Sequence, residues 1–301
     1  MAADDKTRCG FIAIVGAPNA GKSTLINQLV GAKIAIVSRK VQTTRTRTLG
    51  IVMAGQSQLV FVDTPGIFRP RRRLDRAMVA AAWAGAEEAD LIVLVVDAER
   101  KGADETQDII ARLKSAGRQA ILALNKIDAV KRESLLKLAA DLNAAGIFTD
   151  IFMISALTGD GVADLKAHLS VAVPEGPWLY PPDQLADISE RLLAAEVTRE
   201  KMYDQLHEEL PYASTVETEA WEEQKDGSVR ISQVIFVERD GQKAIVIGKK
   251  GQRLKAIGQA AREELETMLG RRVHLFLFVK VREGWGEDRE RYRALGLDYV
   301  D

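Results

Sequence analysis

The sequence predicts an α/β domain with a mostly parallel six-stranded sheet and helices on both faces, followed by a smaller α+β domain. Three observations lead to this prediction. Short apolar runs alternate with amphipathic stretches over residues 11–172, a glycine-rich turn links the first run to a helical pattern, and a segment dense in proline and glycine then precedes a different pattern. We therefore expect a first domain over 1–177, a linker over 178–185 and a second domain over 186–301.

The six apolar runs are each four to six residues long, which is typical of strands buried on both faces of a parallel sheet. The candidate strands are Phe11–Val15, Leu49–Ala54, Leu59–Val62, Leu91–Val96, Ala120–Leu124 and Ile151–Ile154. Helical periodicity fills the intervals between them. The candidate helices are Lys22–Val30, Leu74–Ala89, Asp104–Ala116, Glu133–Ala145 and Val162–Val171.

The bulk composition limits the classes of protein that the chain can belong to. Its 301 residues are enough for two cores, and 42 basic residues nearly balance 43 acidic ones, so any nucleic-acid affinity must come from a local patch. The single Cys9 excludes an internal disulfide and fits a reducing compartment. No signal peptide is recognisable, and no apolar run reaches the about 20 residues that span a bilayer. We expect a cytoplasmic protein, with peripheral contact to the inner membrane left open.

The most informative motif is a phosphate-binding loop between the first strand and the first helix. Residues 16–23 match the pattern G-x-x-x-x-G-K-S, in which backbone N–H groups surround a phosphate at the positive end of a helix. Lys22 can reach the β- and γ-phosphate oxygens, and the Ser23 hydroxyl can bind Mg²⁺. The predicted phosphate site consists of Gly16, Ala17, Pro18, Asn19, Ala20, Gly21, Lys22, Ser23 and Thr24.

Three further motifs follow predicted strands, at the sheet edge where α/β domains bind ligands. The segment 63–66, Asp-Thr-Pro-Gly, can hold Mg²⁺ through water from Asp63 and sense the γ-phosphate through the Gly66 N–H. The segment 125–128, Asn-Lys-Ile-Asp, and the segment 155–157, Ser-Ala-Leu, are candidates for binding the base. The predicted contacts are Asp63, Thr64, Pro65, Gly66, Ile67, Asn125, Lys126, Ile127, Asp128, Ser155, Ala156 and Leu157.

The second of these motifs selects the base. The Asp128 carboxylate can accept both N1–H and the N2 amino group of guanine, whereas adenine would leave it unpaired. Asn125 would tie this turn to the phosphate loop, the stem of Lys126 would cover the base, and 155–157 would offer backbone N–H to guanine O6. The sequence therefore predicts a GTP- and GDP-binding site.

In this order and on these strands, the motifs resemble those of the translation-factor-related GTPases. In Ras-like enzymes a glutamine follows Asp-x-x-Gly and orients the attacking water. Here that position is Ile67, which matches the subgroup of GTPases in which a hydrophobic residue replaces the glutamine. The sequence therefore predicts slow intrinsic hydrolysis. The polar segment 38–48 should be the first switch, with Thr44 chosen over Thr43 to complete the Mg²⁺ shell. The second switch would run from Asp63 through Arg73. The arginines at 69 and 71–73 either face RNA or form a solvated charged run, and we favour the solvated run.

Asn19 offers a substitute for the missing glutamine. Its place in the loop resembles that of GTPases that bind K⁺ beside the phosphates, where a cation stabilises charge in the transition state. The alternative is an asparagine that only fixes the shape of the loop. We expect Lys22, Thr44, Gly66 and, through K⁺, Asn19 to carry the hydrolysis.

The region after the linker predicts a basic α+β module. A helix is expected over Leu185–Leu206 and strands over Ala213–Glu223, Val229–Glu238 and Arg272–Val281. The turn at 248–251, Gly-Lys-Lys-Gly, lies in a stretch from Gly241 to Arg262 with six basic residues and no acidic one. Such a loop binds nucleic-acid backbone in KH domains. The candidate RNA contacts are Gly248, Lys249, Lys250, Gly251, Arg253 and Lys255.

Periodicity alone would make 243–247 a strand, whereas the KH resemblance makes it a short helix, and we follow the resemblance.

A GTPase domain followed by a type II KH domain resembles the Era family, with further matches in switch residues 38–45 and the segment 281–285. That resemblance implies binding to the 3′ region of small-subunit ribosomal RNA and a role in assembly of the small ribosomal subunit, by a monomer. Stacking on Trp285 and Tyr292 would extend the RNA surface, with burial in the KH core as an equal alternative for Trp285. The alternative is a switch whose second domain grips a protein or membrane surface.

Overall fold

The structure is a computed structural model that describes residues 6–38, 40, 48–70, 73–100, 104–206, 210, 214–284, 289 and 297. The chain divides into two compact units. The first runs to Asp187, and the second begins at Ile188 and also contains a short segment that starts at Ile36. The predicted boundaries at 177/178 and 185/186 stay predictions.

The first unit contains the predicted six-stranded sheet, in the order β2-β3-β1-β4-β5-β6. Strand β2 is antiparallel to β3, and every other neighbouring pair is parallel. The strands are β1 (Arg8–Val15), β2 (Thr48–Ala54), β3 (Ser57–Asp63), β4 (Leu91–Asp97), β5 (Ala120–Asn125) and β6 (Phe148–Met153). The predicted end of β6 at Ile154 is wrong by one residue, because pairing with β5 stops at Met153.

Helices cover both faces of this sheet, as the alternating pattern predicts. They are α1 (Lys22–Val30), α2 (Arg73–Glu88), α3 (Asp104–Ser115), α4 (Arg132–Asn143) and α5 (Val162–Ala172). Leu25 and Leu165 of α1 and α5 share one core with Ile12 of β1. Trp83 and Ile109 of α2 and α3 share the core of the opposite face. The sheet is therefore buried on both sides, and its carboxyl ends meet at one edge.

The second unit has the helix–strand–strand–helix–helix–strand order of a type II KH domain. Its elements are α6 (Glu190–Gln205), β7 (Ser214–Glu223), β8 (Val229–Val237), α7 (Asp240–Ile247), α8 (Gln252–Leu269) and β9 (Val273–Val281). Strand β8 is central, antiparallel to β7 and parallel to β9. The choice of a helix over a strand at 243–247 is confirmed, because α7 packs Val246 into a core that also contains Val279 of β9.

The residues before α6 correct one predicted boundary. The predicted helix start at Leu185 is wrong: α6 begins at Glu190, where the Ser189 hydroxyl accepts the N–H of Leu192 at 3.3 Å as an N-cap. Residues 185–187 instead run antiparallel to β2, with Ala186 bridged to Gly50. The helix is predicted to start at Leu185 because this apolar residue fits the helical periodicity. In the structure, its carbonyl instead accepts a hydrogen bond from the Ile51 N–H at 2.8 Å.

Candidate functional site

The phosphate loop lies between β1 and α1, where the sequence predicts it. Gly21, the residue before α1, has a φ of 97°, and a Cβ there would lie 2.2 Å from Asn125 Nδ2. Gly16 is equally restricted, since a Cβ would lie 2.4 Å from the carbonyl oxygen of Val95. Both glycines are therefore required by close contacts with β4 and β5, as well as by a backbone that must curl around an anion.

Lys22 is nine-tenths buried at the start of α1. Its Nζ donates to the carbonyl oxygens of Gly16 and Ala17 at 3.1 and 3.0 Å. Burial lowers the pKa of Lys22 to about 8, and the nearby Asp63 carboxylate opposes that shift. A phosphate group would provide the negative charge that this buried ammonium requires.

Ser23, the second residue of α1, lies beside Asp63, the last residue of β3. The Ser23 hydroxyl donates to Asp63 Oδ2 at 3.2 Å, and the carboxylate is fully buried. Hard oxygen donors so arranged fit Mg²⁺, which favours carboxylate and hydroxyl ligands together with water and phosphate oxygens. The predicted third ligand, Thr44, lies outside the described residues.

The segment after Asp63 is fixed against the phosphate loop. The Thr64 hydroxyl donates to the Ile14 carbonyl at 2.7 Å, and the Ile67 N–H donates to the Gly16 carbonyl at 3.1 Å. A Cβ at Gly66 would lie 3.1 Å from the backbone of Pro18. The Ile67 side chain is 7 % exposed and packs in the core beside Trp83. It is thus directed into the domain, where it cannot position water.

Asn125 connects the base-binding turn to the phosphate loop, as predicted. Its Nδ2 donates to the Ala20 carbonyl at 2.8 Å, and its Oδ1 accepts the Ala156 N–H at 2.9 Å. One buried amide therefore joins three motifs that are far apart in the sequence. Asp128 lies in the short turn Ile127–Ala129 just beyond Asn125 and is exposed, as a residue that binds a base should be.

Asp97 is a residue that sequence reasoning missed. It ends β4, is 6 % exposed, and accepts from Lys126 Nζ at 2.5 Å. Lys126 itself has a left-handed φ of 66°. The signal was available, because Asp97 follows a buried strand at the same sheet edge as Asp63 and Asn125.

The segment 155–157 forms a tight turn after β6. The Ser155 N–H donates to the Asp160 carbonyl at 2.9 Å, and the Ser155 hydroxyl accepts the Thr158 N–H at 3.2 Å. With Ala156 bonded to Asn125, the turn is held from both sides. Leu157 is 78 % exposed at its tip, beside the base-binding turn.

The second candidate site is the Gly-x-x-Gly loop between α7 and α8. Gly248 has a φ of 72°, and a Cβ there would lie 2.7 Å from Arg253 Cβ. Lys249 and Lys250 are exposed, as is Lys255 on the first turns of α8. Arg253 has a structural role as well, because its Nη1 donates to the Ile245 carbonyl at 2.7 Å. Trp285 and Tyr292 lie outside the described residues.

Ile245, on α7 beside this loop, is 50 % exposed. Basic side chains next to an exposed apolar surface are what unpaired bases and their phosphates require. Within the described part of the chain, no helix is both long and apolar enough to cross a bilayer.

Fold and site together define a P-loop GTPase domain joined to a KH domain. A family described as 50S ribosome-binding GTPase matches residues 11–126, and the KH domain family matches residues 209–286. The chain is 60 % identical to GTPase Era of Caulobacter vibrioides (strain NA1000 / CB15N), over 98 % of each chain. It is also 60 % identical to GTPase Era of Rhizobium meliloti (strain 1021), over 97 % of this chain and 94 % of that protein. The chain belongs to the Era family of GTPases.

Solved structures agree with this assignment. An Era protein in complex with MgGDPNP and nucleotides 1506–1542 of 16S ribosomal RNA superposes with a TM-score of 0.91 at 39 % identity. A variant of Aquifex aeolicus Era bound to GDP.AlF4⁻ gives the same TM-score and identity. Each covers 96 % of this chain and 99 % of the matched chain. The protein is therefore a GTPase with a KH domain.

Proposed function

We propose that this GTPase uses its nucleotide state to control binding of its KH domain to the 3′ region of small-subunit ribosomal RNA during assembly of the small subunit. The observation that carries the proposal is the exposed Lys249–Lys250 pair on the Gly-x-x-Gly loop, beside the exposed Ile245. The Era relative solved with MgGDPNP and 16S ribosomal RNA nucleotides supports the choice of RNA. We place the protein in the cytoplasm as a monomer.

In the nucleotide site, phosphates would take over the Lys22 ammonium from the two loop carbonyls that now hold it. Ser23 would ligate Mg²⁺ directly, Asp63 through water, and Thr44 from the first switch. Bound Mg²⁺ neutralises charge on the β- and γ-phosphates. The Gly66 N–H would report the γ-phosphate, since Gly66 lies against Pro18 of the loop.

Hydrolysis in this site should be slow without help. Ile67 occupies the position of the water-orienting glutamine, and its side chain is packed in the core. Charge in the transition state would then be stabilised by Lys22, by the Gly66 N–H and by K⁺ held near Asn19. The left-handed φ of 62° at Asn19 supports the last element, because it holds the residue in a defined position at the rim of the loop.

In the RNA site, Lys249 and Lys250 would contact phosphates while about four unpaired bases lie along α7 and α8. Arg253 braces the loop through the Ile245 carbonyl, and Lys255 adds charge on the same side. The loop supplies affinity through phosphates, so binding should weaken as salt increases.

A charge reversal tests this proposal. The double variant Lys249→Glu/Lys250→Glu should bind an RNA with the sequence of nucleotides 1506–1542 of 16S ribosomal RNA at least about tenfold more weakly at about 100 mM salt, with a smaller salt dependence. The matched control is Lys131→Glu/Arg132→Glu, an exposed basic pair at the start of α4 with the same charge change. Fluorescence anisotropy measures both.

Three results would decide against the RNA proposal. These are unchanged affinity in the loop variant, an equal loss in the control variant, or no binding by the native protein. If the native protein instead binds anionic vesicles or a protein surface through the same lysines, the second domain is a docking module. Crosslinking in cells followed by sequencing of the attached RNA should recover the 3′ region of the small-subunit RNA.

A further inference from the structure

Both ends of the predicted first switch, 38–48, are held by one continuous stretch of chain, 185–206. At the first end, the Val37 N–H donates to Glu200 Oε1 of α6 at 2.8 Å. Glu200 is 3 % exposed and Val37 is 41 % exposed, so this is a partly buried hydrogen bond to a charged acceptor, one of the stronger kinds in proteins. The neighbouring Ile36 is buried as well. The chain leading into the switch is therefore fixed to the middle of α6.

Lys40 makes a second attachment to the same helix. Its ammonium group donates to the carbonyl oxygens of Tyr203 and Leu206, at the carboxyl end of α6. The last carbonyls of a helix have no intrahelical partner and carry partial negative charge. The last turn of α6 contains no basic residue of its own. A lysine distant in sequence thus supplies the cation that this helix end requires.

The other end of the switch is attached to the residues just before α6. The Leu49 N–H donates to Asp187 Oδ1 at 2.7 Å, and Ile51 N–H donates to the Leu185 carbonyl at 2.8 Å. Leu49 is the second residue of β2, and α6 begins three residues after Asp187. Each of these contacts lies within one of the two compact units.

The contacts continue from α6 to the helix that follows the Gly-x-x-Gly loop. Glu200 Oε2 accepts from Lys201 Nζ at 3.2 Å, and the same ammonium pairs with Glu264 of α8. Burial lowers the pKa of Lys201, but Glu264 and Glu200 more than compensate and raise it, so the ammonium is charged at neutral pH. Helix α8 begins at Gln252, directly after Gly251. Val37 is therefore connected to the RNA-binding helix by three charged side chains.

We propose that Glu200, with Lys40 and Asp187, acts as a positioning residue that couples helix α6 to the first switch. Through this coupling, the nucleotide state is passed to the RNA-binding unit by way of Glu200, Lys201 and Glu264. This inference rests on the proposed function. A change in the switch that releases Val37 or Lys40 acts on α6 directly. A change that releases Leu49 acts on residues 185–187, which lead into α6.

The test compares three variants of α6 in the full-length protein. Glu200→Ala removes the acceptor for Val37, Glu200→Gln retains an acceptor oxygen, and Glu190→Ala removes a carboxylate that is 63 % exposed on the same helix. For each, the affinity for the 1506–1542 RNA is measured with GDP and with a non-hydrolysable GTP analogue. Hydrogen exchange of the Val37 amide is followed in both states, and GDP affinity checks the nucleotide site.

We expect the ratio of the two RNA affinities to fall in Glu200→Ala from its native value to within about twofold of one, with GDP affinity unchanged. The Val37 amide should lose its protection in that variant and should differ between nucleotide states in the native protein. Glu200→Gln should retain most of the ratio, and Glu190→Ala all of it. Lys40→Met, which removes only the contact to the end of α6, should lower the ratio even if Glu200→Ala proves too unstable to measure.

Two outcomes would overturn the inference while leaving RNA binding intact. They are an unchanged ratio in Glu200→Ala and an equal loss of RNA affinity in both nucleotide states, which a merely structural role would give. A native ratio of one would instead overturn the proposed control of RNA binding by the nucleotide state. Absence of RNA binding by the native protein in both states would instead overturn the proposed function.

Discussion

The side-chain amide of Asn125 donates to the carbonyl oxygen of Ala20 across 2.8 Å, although 105 residues separate them. This bond joins the turn that would bind guanine to the loop that would bind phosphate. The amide is buried and uses both of its ends, since Oδ1 accepts from Ala156. A single side chain thus links the base and phosphate subsites.

The substitution Asn125→Asp tests that relationship. It retains the shape and the acceptor for Ala156 but places a carboxylate oxygen against the Ala20 carbonyl, so the buried bond becomes a repulsion. Losing a buried hydrogen bond of this kind costs about 1.5–3 kcal/mol, and GDP affinity should fall at least about tenfold. The control is Asn143→Asp at the exposed end of α4. Equal GDP affinity of Asn125→Asp and the native protein by calorimetry would contradict this role.

Asp128→Asn should change which purine is bound. An asparagine can still accept from N1–H, but it presents an amino group where guanine has its own amino group and where xanthine has a carbonyl. We expect GDP to bind about 10- to 100-fold more weakly and the xanthine nucleotide to bind more tightly than to the native protein. Competition against a fluorescent nucleotide measures both. A retained preference for GDP would remove Asp128 from base recognition.

The pH dependence of nucleotide binding should report Lys22. With a pKa of about 8 in the nucleotide-free protein, about nine-tenths of Lys22 is charged at pH 7 and about a quarter at pH 8.5. Phosphates favour the charged form, so GDP binding should take up a proton and weaken about threefold or more over that range. Calorimetry at about pH 8.5 in buffers of different ionisation enthalpy detects the proton. An uptake of zero would contradict the depressed pKa.

In the protein without nucleotide, the charged Lys22 lowers the free energy of unfolding, whereas a lysine stabilised by an ion pair would raise it. A lysine whose pKa is lower folded than unfolded destabilises the fold below pH 8, and this cost disappears as the pH rises from about 8 toward 10.5. The contribution of Lys22 to the free energy of unfolding therefore increases in that window. Saturating GDP should remove the effect.

Potassium should accelerate hydrolysis relative to sodium at equal ionic strength. Asn19→Gly is the matched variant, since glycine adopts the left-handed φ of 62° without strain and lacks the side-chain oxygen. The native protein should be several-fold faster in KCl, and the variant should show equal rates in both salts. Phosphate release measures the rates. Equal native rates in KCl and NaCl would remove the cation role.

Gln58 offers a prediction of stability alone. Its fully buried Oε1 accepts the N–H groups of Leu179 and Tyr180 at 2.8 and 3.0 Å, and its Nε2 donates to the Tyr180 carbonyl at 2.8 Å. Gln58→Leu leaves these partly buried backbone groups without their side-chain partner and should lower the free energy of unfolding by about 1–3 kcal/mol. Urea unfolding measures this against Gln56→Leu, an exposed position in the turn before β3. A difference below about 0.5 kcal/mol between the variants would contradict it.

Much of this protein follows from the sequence alone. The phosphate loop could be predicted because Gly16, Gly21, Lys22 and Ser23 act through local backbone geometry, which a short motif encodes. The strand and helix order could be predicted because apolar periodicity reflects burial, and the KH resemblance decided for a helix at 243–247 where periodicity favoured a strand.

Only the tertiary structure decided the contacts between distant segments. Asp97 against Lys126, the strand-like course of 185–187 beside β2, and Glu200 beneath Val37 depend on which strand edges and helix faces meet. Such pairings leave no pattern in the local sequence, because a hydrogen bond between residues far apart in the chain does not restrict the residue types next to either partner. The sequence by itself predicted a guanine-nucleotide site, and the fold determined how the two ends of the first switch are held.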